Sequence, residues 1–464
     1  MGLSAAHWVF LAVTIAMIFA MAVRRGVIIL AMAGIVTLAL LSPHAGTTMI
    51  DKAVFAAQSM FRAAIVGGSH LFDTILLVGF LGALLHLLRE EGIDKVMAAP
   101  FARAMRGRTS AFLSLTAASL FFSLFFWPTP AALMIGACLL PAALRAGLPP
   151  VAAGMAISMA GHGMALSGDP VIQAAARITG APGGLAPSMI LPVGTILGAV
   201  LGIVALGVAL ARSGRTQPSA PAPIAAPDAA PPTRRQIMLA IIVPVLLLGT
   251  ALLSAFRPAE TANDGTAVAL LGGMAVVLLI LTCCVQHGTH ALDHIVDMMT
   301  EGFFLVIRIF APVVPVLGFF MIGDMASAPQ ILGDGAPGLI PGIAAHWALN
   351  GLGWSVALPA MVVAVGAVAG RDGVAFTGLP LAGAVAVMLS GGDAQRAAIL
   401  ASLGQVITIW VGAGVLLPWS GVRTVAAEAG LTREALAQAN RLPVIIGIAA
   451  ATIVATVLLC RACS

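Results

Sequence analysis

Charge is scarce in this chain of 464 residues: 9% of them are charged and 60% hydrophobic. Twenty-three basic and eighteen acidic side chains are too few to clothe a water-soluble body of this size, for which about 25% charged residues is usual. Soluble enzymes, secreted disulfide scaffolds and disordered chains are excluded on that ground. Cysteine is sparse too. Cys138, Cys283, Cys284 and Cys460 lie in or beside apolar runs and Cys463 at the tail, giving neither a disulfide framework nor a metal-ligand spacing. Lys occurs only as Lys52 and Lys95 and Tyr not at all, the bias of a GC-rich bacterial genome and without mechanistic weight. The net charge of +5 does not indicate a nucleic-acid partner, because the basic residues sit between apolar runs, as the positive-inside rule expects.

What the chain has in abundance is long, continuous apolar sequence. An outer-membrane barrel would show short alternating segments instead, so the expected fold is all-α and polytopic, with about ten to twelve membrane segments. Spans are predicted at 5–23, 26–42, 69–88, 187–210, 236–255, 266–285, 303–322 and 442–460. Less regular apolar stretches fill 110–145, 151–178, 354–390 and 395–420. No basic residue precedes the first run and Arg24 and Arg25 follow it, so it reads as a retained span with a periplasmic N-terminus rather than a signal peptide. The third span then delivers Arg89, Lys95, Arg103, Arg106 and Arg108 to the same cytoplasmic side. There Gly92–Met105 reads as an amphipathic helix at the interface. The expected location is the bacterial inner membrane, with the lipid bilayer as solvent.

A Pro- and Ala-rich linker, 212–235, divides the chain into 1–211 and 236–464 and is expected to be extended and cytoplasmic. Both parts follow one plan: two spans, an amphipathic stretch (51–65; 289–300), a third span, an interrupted hairpin, an interrupted helix and a last span. One part starts outside and the other inside, which makes them inverted repeats. A shift of 243 residues carries both His162 onto Gln405 and Trp127 onto Gly370.

Backbone that leaves helical geometry inside a bilayer must be buried in protein or line a wet cavity. Four interruptions qualify. Trp127-Pro-Thr129-Pro130 is expected at the tip of a re-entrant hairpin 110–145, and Gly370-Arg371-Asp372-Gly373 with Phe376, Thr377 and Pro380 at the tip of a second, 354–390. Gly161-His162-Gly163 through Ser167-Gly168-Asp169-Pro170 breaks helix 151–178. Gly404-Gln405 with Thr408, Gly412 and Gly414 is the weaker break expected in 395–420.

Substrate contacts are therefore expected from Trp127, Thr129, His162, Gly163, Ser167, Arg371, Phe376, Thr377 and Gln405. The coupling ion is assigned to Asp169, Asp372, Gly161, Gly404 and Thr408. A carboxylate at membrane depth is costly without a role or partner, which gives Asp169 its coupling role. Asp-Pro is also a good helix start, and the two readings are compatible. Arg371 and Asp372, being adjacent, form either part of the site or a structural pair. His162 reads equally as a substrate contact, a proton shuttle or a packing histidine. Asp73 and Arg308, on the third spans, are expected to pair or to reach opposite interfaces. The run His287, His290, Asp293, His294 and Asp297 has helical spacing suited to a metal, but on an interfacial segment it reads as a solvated face.

With Leu166-Ser-Gly-Asp169-Pro and Asp372-Gly-Val-Ala-Phe376-Thr-Gly-Leu-Pro380 in place, the chain resembles the ion transporter superfamily of secondary carriers. That superfamily includes dicarboxylate carriers, gluconate permeases, sodium–proton antiporters and citrate carriers. The Ser-Asn-Thr hairpin signature of some branches is absent at Trp127–Pro130, leaving the coupling ion open between H+ and Na+. The resemblance implies a homodimer with a scaffold part and a moving transport part. The expected function is symport of a small organic anion, a carboxylate, with a proton or cation by alternating access and without a further cofactor. The alternative is a sodium–proton antiporter with Asp169 as the exchanging carboxylate. A channel or an integral-membrane enzyme fits the sequence less well.

Overall fold

In a computed structural model, residues 2–213, 231–255, 266–349, 357–372, 376–413, 415–418 and 420–463 are described. The core of the expected linker, Gly373 and Gly414 lie outside these residues, as does the side chain of Asp372. No strand occurs among the described residues: the protein is all-α, as its composition required.

The first part of the chain forms α1 (Ala5–Ala22), α2 (Ile28–Leu40), α3 (Met49–Glu90), α4 (Ile93–Ala104), α5 (Arg108–Phe126) and α6 (Pro128–Arg145). It continues with α7 (Pro150–Ile157), a π-helical segment Ser158–Ala165, α8 (Leu166–Gly168), α9 (Ala174–Gly180) and α10 (Pro187–Ser213). The second part forms α11 (Arg234–Ala255), α12 (Thr266–His287), α13 (Ala291–Phe310), α14 (Val313–Met321), α15 (Ala328–Leu332) and α16 (Leu339–Leu349). The remaining helices are α17 (Ala357–Ala369), α18 (Leu379–Leu389), α19 (Ala394–Gly412), α20 (Ser420–Glu428) and α21 (Arg433–Cys463). Among the described residues, 9 helices are long and apolar enough to cross a membrane, and four shorter apolar helices accompany them.

The expected amphipathic stretch 51–65 and span 69–88 are one helix, the 42-residue α3. At 1.5 Å per residue it is about 63 Å long, twice the hydrocarbon thickness of roughly 30 Å. Gly67, inside this helix, is a close helix contact. Lipid tails give helices little hydrophobic reason to associate, so close approach of small residues supplies the attraction. A Cβ on Gly67 would stand 2.6 Å from the Val314 carbonyl, and one on Gly79 2.8 Å from the Phe303 ring. Gly302 and Gly318 return the contact against Ala83 and Ala63. Along this seam α3 packs on α13 and α14. Thr48 caps α3, accepting from the Asp51 amide at 3.1 Å while the Asp51 carboxylate accepts from the Thr48 amide at 3.3 Å.

α5 and α6 pack together as a helical hairpin. One residue joins them: Trp127, at φ 66° and ψ 138°, which lets the chain reverse while Pro128 opens α6 with an amide that needs no partner. α19 runs through the centre, with 83% of its span buried. It packs on α17, α18, α10 and α21. It is continuous through Gly404 and Gln405, so the break expected there does not occur. Gly404 serves close packing instead: a Cβ would lie 3.2 Å from Val362, and the Gly404 carbonyl itself approaches Gly366. The helix ends only at Gly412–Ala413.

Candidate functional site

The 151–178 region breaks later than the glycines suggested. Gly161, His162 and Gly163 lie in the π-helical turn, where the chain stays helical but widens. Unwinding starts at Asp169 (φ 34°, ψ 52°), includes Pro170, and ends at Gln173 (φ 64°). Both non-glycine residues occupy the left-handed region, which costs about 1–2 kcal/mol each and is easier for Asp than for Gln. The Asp169 carboxylate turns back onto the next helix and accepts from the Ile172 and Ala175 amides, both at 3.2 Å. This buried acid, 3% exposed, thus holds an amide in the first turn of α9, although that helix starts only at Ala174, after Gln173, and not at Pro170.

Arg177, on α9, stands 3.9 Å from the carboxylate of Asp73 on α3. Asp73 is thus the neighbour of Arg177, not of Arg308, which lies on α13 with an exposed side chain. The Arg177 side chain is 15% exposed and that of Asp73 60%. Arg177 was missing from the residues singled out above. Its signal was available: it is the only charge between Pro170 and Pro192.

Ser167, at the break, touches Trp410 of α19. The Trp410 indole N–H donates to Ser167 Oγ at 3.1 Å, and the Gln405 Nε2 donates to the Ser167 carbonyl at 2.9 Å. Thr195 Oγ1 donates to the Gly168 carbonyl at 3.3 Å. These bonds take up the carbonyls that a broken helix leaves open and bind the break to α19 and α10. Gly163 makes room for the Trp410 ring, 2.8 Å from where a Cβ would stand, and Gly161 lies as close to Ser123 Oγ. Trp410 was not anticipated, because an aromatic in an apolar helix carries no pattern that separates it from core.

The two hairpin tips meet through aromatic rings. Trp127 lies 5.2 Å from Phe376 and 5.7 Å from Phe310, and the two phenylalanines are 5.6 Å apart, centroid to centroid. Phe310 ends α13, just before Pro312, so three interruptions converge on one cluster. Thr129 is half-buried in the first turn of α6. His162, 3% exposed, packs against Gly421 of α20, where a Cβ would stand 2.8 Å from Nε2. Neither ring nitrogen has a hydrogen-bond partner among the described residues.

Other buried polar atoms are likewise unmatched among the described residues: Thr377 Oγ1, Thr408 Oγ1, Gln405 Oε1 and Arg371 Nε. Buried polar groups are normally paired; Ser59 Oγ, Thr74 Oγ1 and Thr282 Oγ1 on other helices are unmatched too among the described residues, so the four atoms named first offer hydrogen-bonding capacity without by themselves marking a site. Gly366 and Gly370 hold α17 against α19 beside Thr408; a Cβ on Gly366 would stand 3.3 Å from its hydroxyl. The Arg371–Asp372 pairing lies outside the described side chains.

The histidine-rich segment divides. His290, Asp293 and Asp297 are exposed, while His287 and His294 turn inward with ring centroids 4.0 Å apart. His287 Nε2 is 3.1 Å from Glu91 and His294 Nε2 3.4 Å from Glu90, joining the end of α3 to the α12–α13 corner. Among the described residues no three His, Cys, Asp or Glu come together as a metal site. Outside the membrane spans, Asp94 at the start of α4 is held above the usual carboxylate range. Burial raises it, and the Lys95 amide and the charges of Arg89 and Lys95 oppose the rise.

No family model matches the chain. Among solved structures it is similar to the YdaH transporter of Alcanivorax borkumensis, reported to have an unusual topology. That likeness has a TM-score of 0.56 at 15% identity and covers 98% of each chain. It is also similar to MtrF of Neisseria gonorrhoeae, from a class of antimetabolite efflux pumps, with a TM-score of 0.54 at 11% identity over 93% of each chain. At these identities the likeness shows a fold shared with transporters. Neither structure is described as a member of the superfamily that the sequence motifs resembled. Among curated proteins the chain is 33% identical to the uncharacterized membrane protein YhfA of Bacillus subtilis strain 168 over 479 residues, covering 99% of both. At that identity over the whole length, the chain belongs to the membrane-protein family of YhfA.

Proposed function

We propose that this protein is a secondary active transporter that moves a small organic anion, a carboxylate, together with a proton or another cation. The observation that carries this reading is Asp169: a buried acid seated in unwound backbone, its carboxylate held by the Ile172 and Ala175 amides. An ionisable group in a membrane interior is costly and marks an ion or proton pathway. Arg371, Thr377 and Thr408 supply unmatched donors for the anion, and Gln405 Oε1 an acceptor for a cation or water. The aromatic cluster at Trp127, Phe310 and Phe376 closes the space between the hairpin tips.

Alternating access then works as follows. Protonation or cation binding at Asp169 removes a buried charge, and the hairpins and broken helix move against the scaffold of the outer spans. The two parts of the chain act as inverted repeats in a homodimer, with the N-terminus periplasmic and the linker cytoplasmic in the bacterial inner membrane. A second reading, exchange of the anion outward against an entering proton, draws on the likeness to MtrF, from a class of efflux pumps. Sodium–proton exchange without an organic substrate is the third.

Purified protein in proteoliposomes separates these. Uptake of radiolabelled mono- and dicarboxylates driven by an inward proton gradient supports symport, and carboxylate efflux driven by the same gradient supports exchange. Dissipation of a pH gradient by sodium alone supports the third reading. Uptake unaffected by neutralising Asp169 and Asp372 together overturns the coupling assignment.

A further inference from the structure

Two cavities flank the short interfacial helix α4, and they share Lys95 and Ala99 in their walls. The first, about 690 Å³, lies between the end of α3, α4 and α6. Its cations are Arg89, Lys95 and Arg145, with His86 beside them. Its two acids are engaged elsewhere. Asp94 is 5% exposed and turned onto the Lys95 amide (2.8 Å) and Cys138 Sγ (3.8 Å). Glu90 reaches His294 at 3.4 Å. Among the described residues none of the three cations forms an ion pair.

The second cavity, about 950 Å³, lies on the other flank of α4, against α5 and α11. Its walls are Val96, Phe101, Phe121, Ile241 and Val245, with Lys95 and Arg103 as its cations. Ile241 and Val245 are exposed at 59% and 60%, so the cleft opens along the lipid-facing side of α11. A cationic recess and an apolar trough on either side of one interfacial helix match the two ends of one molecule.

We propose that an anionic phospholipid straddles α4, with its phosphate among Arg89, Lys95 and Arg145 and an acyl chain along the α4–α5–α11 cleft. Charge complementarity favours this occupant over a zwitterionic lipid, since basic recesses at a membrane interface select anionic headgroups. The apolar trough favours it over a free phosphate, which would leave that surface unfilled. The bound lipid would fasten α4 between the α5–α6 hairpin and α11, the helix that follows the linker. The inference stands apart from the transport reading, because it uses none of the residues placed in the transport site.

The test uses full-length protein in detergent, titrated with phosphatidylglycerol, with phosphatidylcholine of the same chains, and with glycerol phosphate. It is read by thermal melting and by native mass spectrometry. The expected result is one retained phosphatidylglycerol per chain, with saturable stabilisation and at least tenfold weaker binding of phosphatidylcholine. Glycerol phosphate should give no stabilisation. Arg89→Gln, Lys95→Gln and Arg145→Gln should each weaken phosphatidylglycerol about fivefold, the contribution of one basic side chain at a membrane surface. Ile241→Ser, at an exposed position, should weaken it with all three cations intact. Equal binding of the two lipids, stabilisation by glycerol phosphate alone, or unchanged binding in all four variants whose lipid-free melting matches wild type overturns the proposal.

Discussion

Replacing Gly383 by Ala should damage both stability and transport, although in most helices the same change is favourable. Gly383 lies in α18 and faces the backbone of Thr179 in α9. A Cβ there would stand 2.8 Å from the Thr179 carbonyl carbon and nearer still to its oxygen. Carbon contacts settle at about 3.5–4.0 Å, so α18 and α9 must part by roughly 1 Å. Both neighbours are backbone, and no flexible side chain can yield. Overpacking of this kind costs about 1–3 kcal/mol, against a gain of up to about 1 kcal/mol from helix propensity. The net expectation is about 0–2 kcal/mol of destabilisation, toward the upper end because the clash is with backbone. The displaced helix carries Arg177 and the amide of Ala175 that holds Asp169, so transport should fall more than abundance does. Gly207→Ala is the control: nothing lies within 4 Å of its Cβ position, and its melting should equal or exceed wild type. Thermal unfolding in detergent and carboxylate flux in proteoliposomes read both effects. A Gly383→Ala protein that melts with the control and transports normally would refute the packing of α9 on α18 and the role of that contact in placing the site.

Thr377→Val and Thr408→Val remove buried hydroxyls that lack partners among the described residues; both should melt at or above wild type while weakening substrate affinity in binding assays. Gln405→Leu removes the donor to the Ser167 carbonyl and should cost about 1–3 kcal/mol of stability. Trp410→Phe, which leaves Ser167 Oγ its own bond to the Met164 carbonyl, should cost about 1 kcal/mol; chemical denaturation ranks the two. Burial raises the Asp94 pKa above the ordinary carboxylate value of 3.8, so the folded state holds the proton more tightly than the unfolded chain. Its contribution is complete below about pH 3.8 and is lost as pH rises through the raised value. Asp94→Asn should therefore flatten that decline, matching wild type in acid and exceeding it near neutrality in melting scans.

Much of the architecture was legible because the bilayer imposes it. A run such as 5–23 has no other stable disposal, and α1 fills it as Ala5–Ala22. Proline made Trp127–Pro130 and Asp169–Pro170 readable as interruptions, since a missing amide donor acts wherever the chain is placed. Glycine misled more often, because the same residue serves unwinding and close packing. Gly404 looked like a break and packs inside an unbroken α19. Gly161-His162-Gly163 packs closely against Ser123 and Trp410 without unwinding, and a π-helical turn carries no local code distinct from α-helix. In the site, Asp169 was visible as a lone carboxylate in an apolar stretch. Trp410 and the Ser167 clasp were not, since a bond between positions 243 residues apart is fixed only by tertiary packing. The neighbour of Asp73 was not visible for the same reason: Arg177 reaches it from α9, a helix that follows the unwinding at Asp169.

The central claim is that Asp169 carries the coupled ion of an anion transporter. The most direct measurement loads proteoliposomes with a pH-sensitive dye and follows proton entry when the transported carboxylate is added outside, for wild type and Asp169→Asn. Asn keeps the shape and one acceptor for the Ile172 and Ala175 amides but cannot exchange a proton. The account predicts carboxylate-driven acidification in wild type, and its loss in Asp169→Asn protein that still folds and binds the anion. Equal acidification in the two proteins would contradict it.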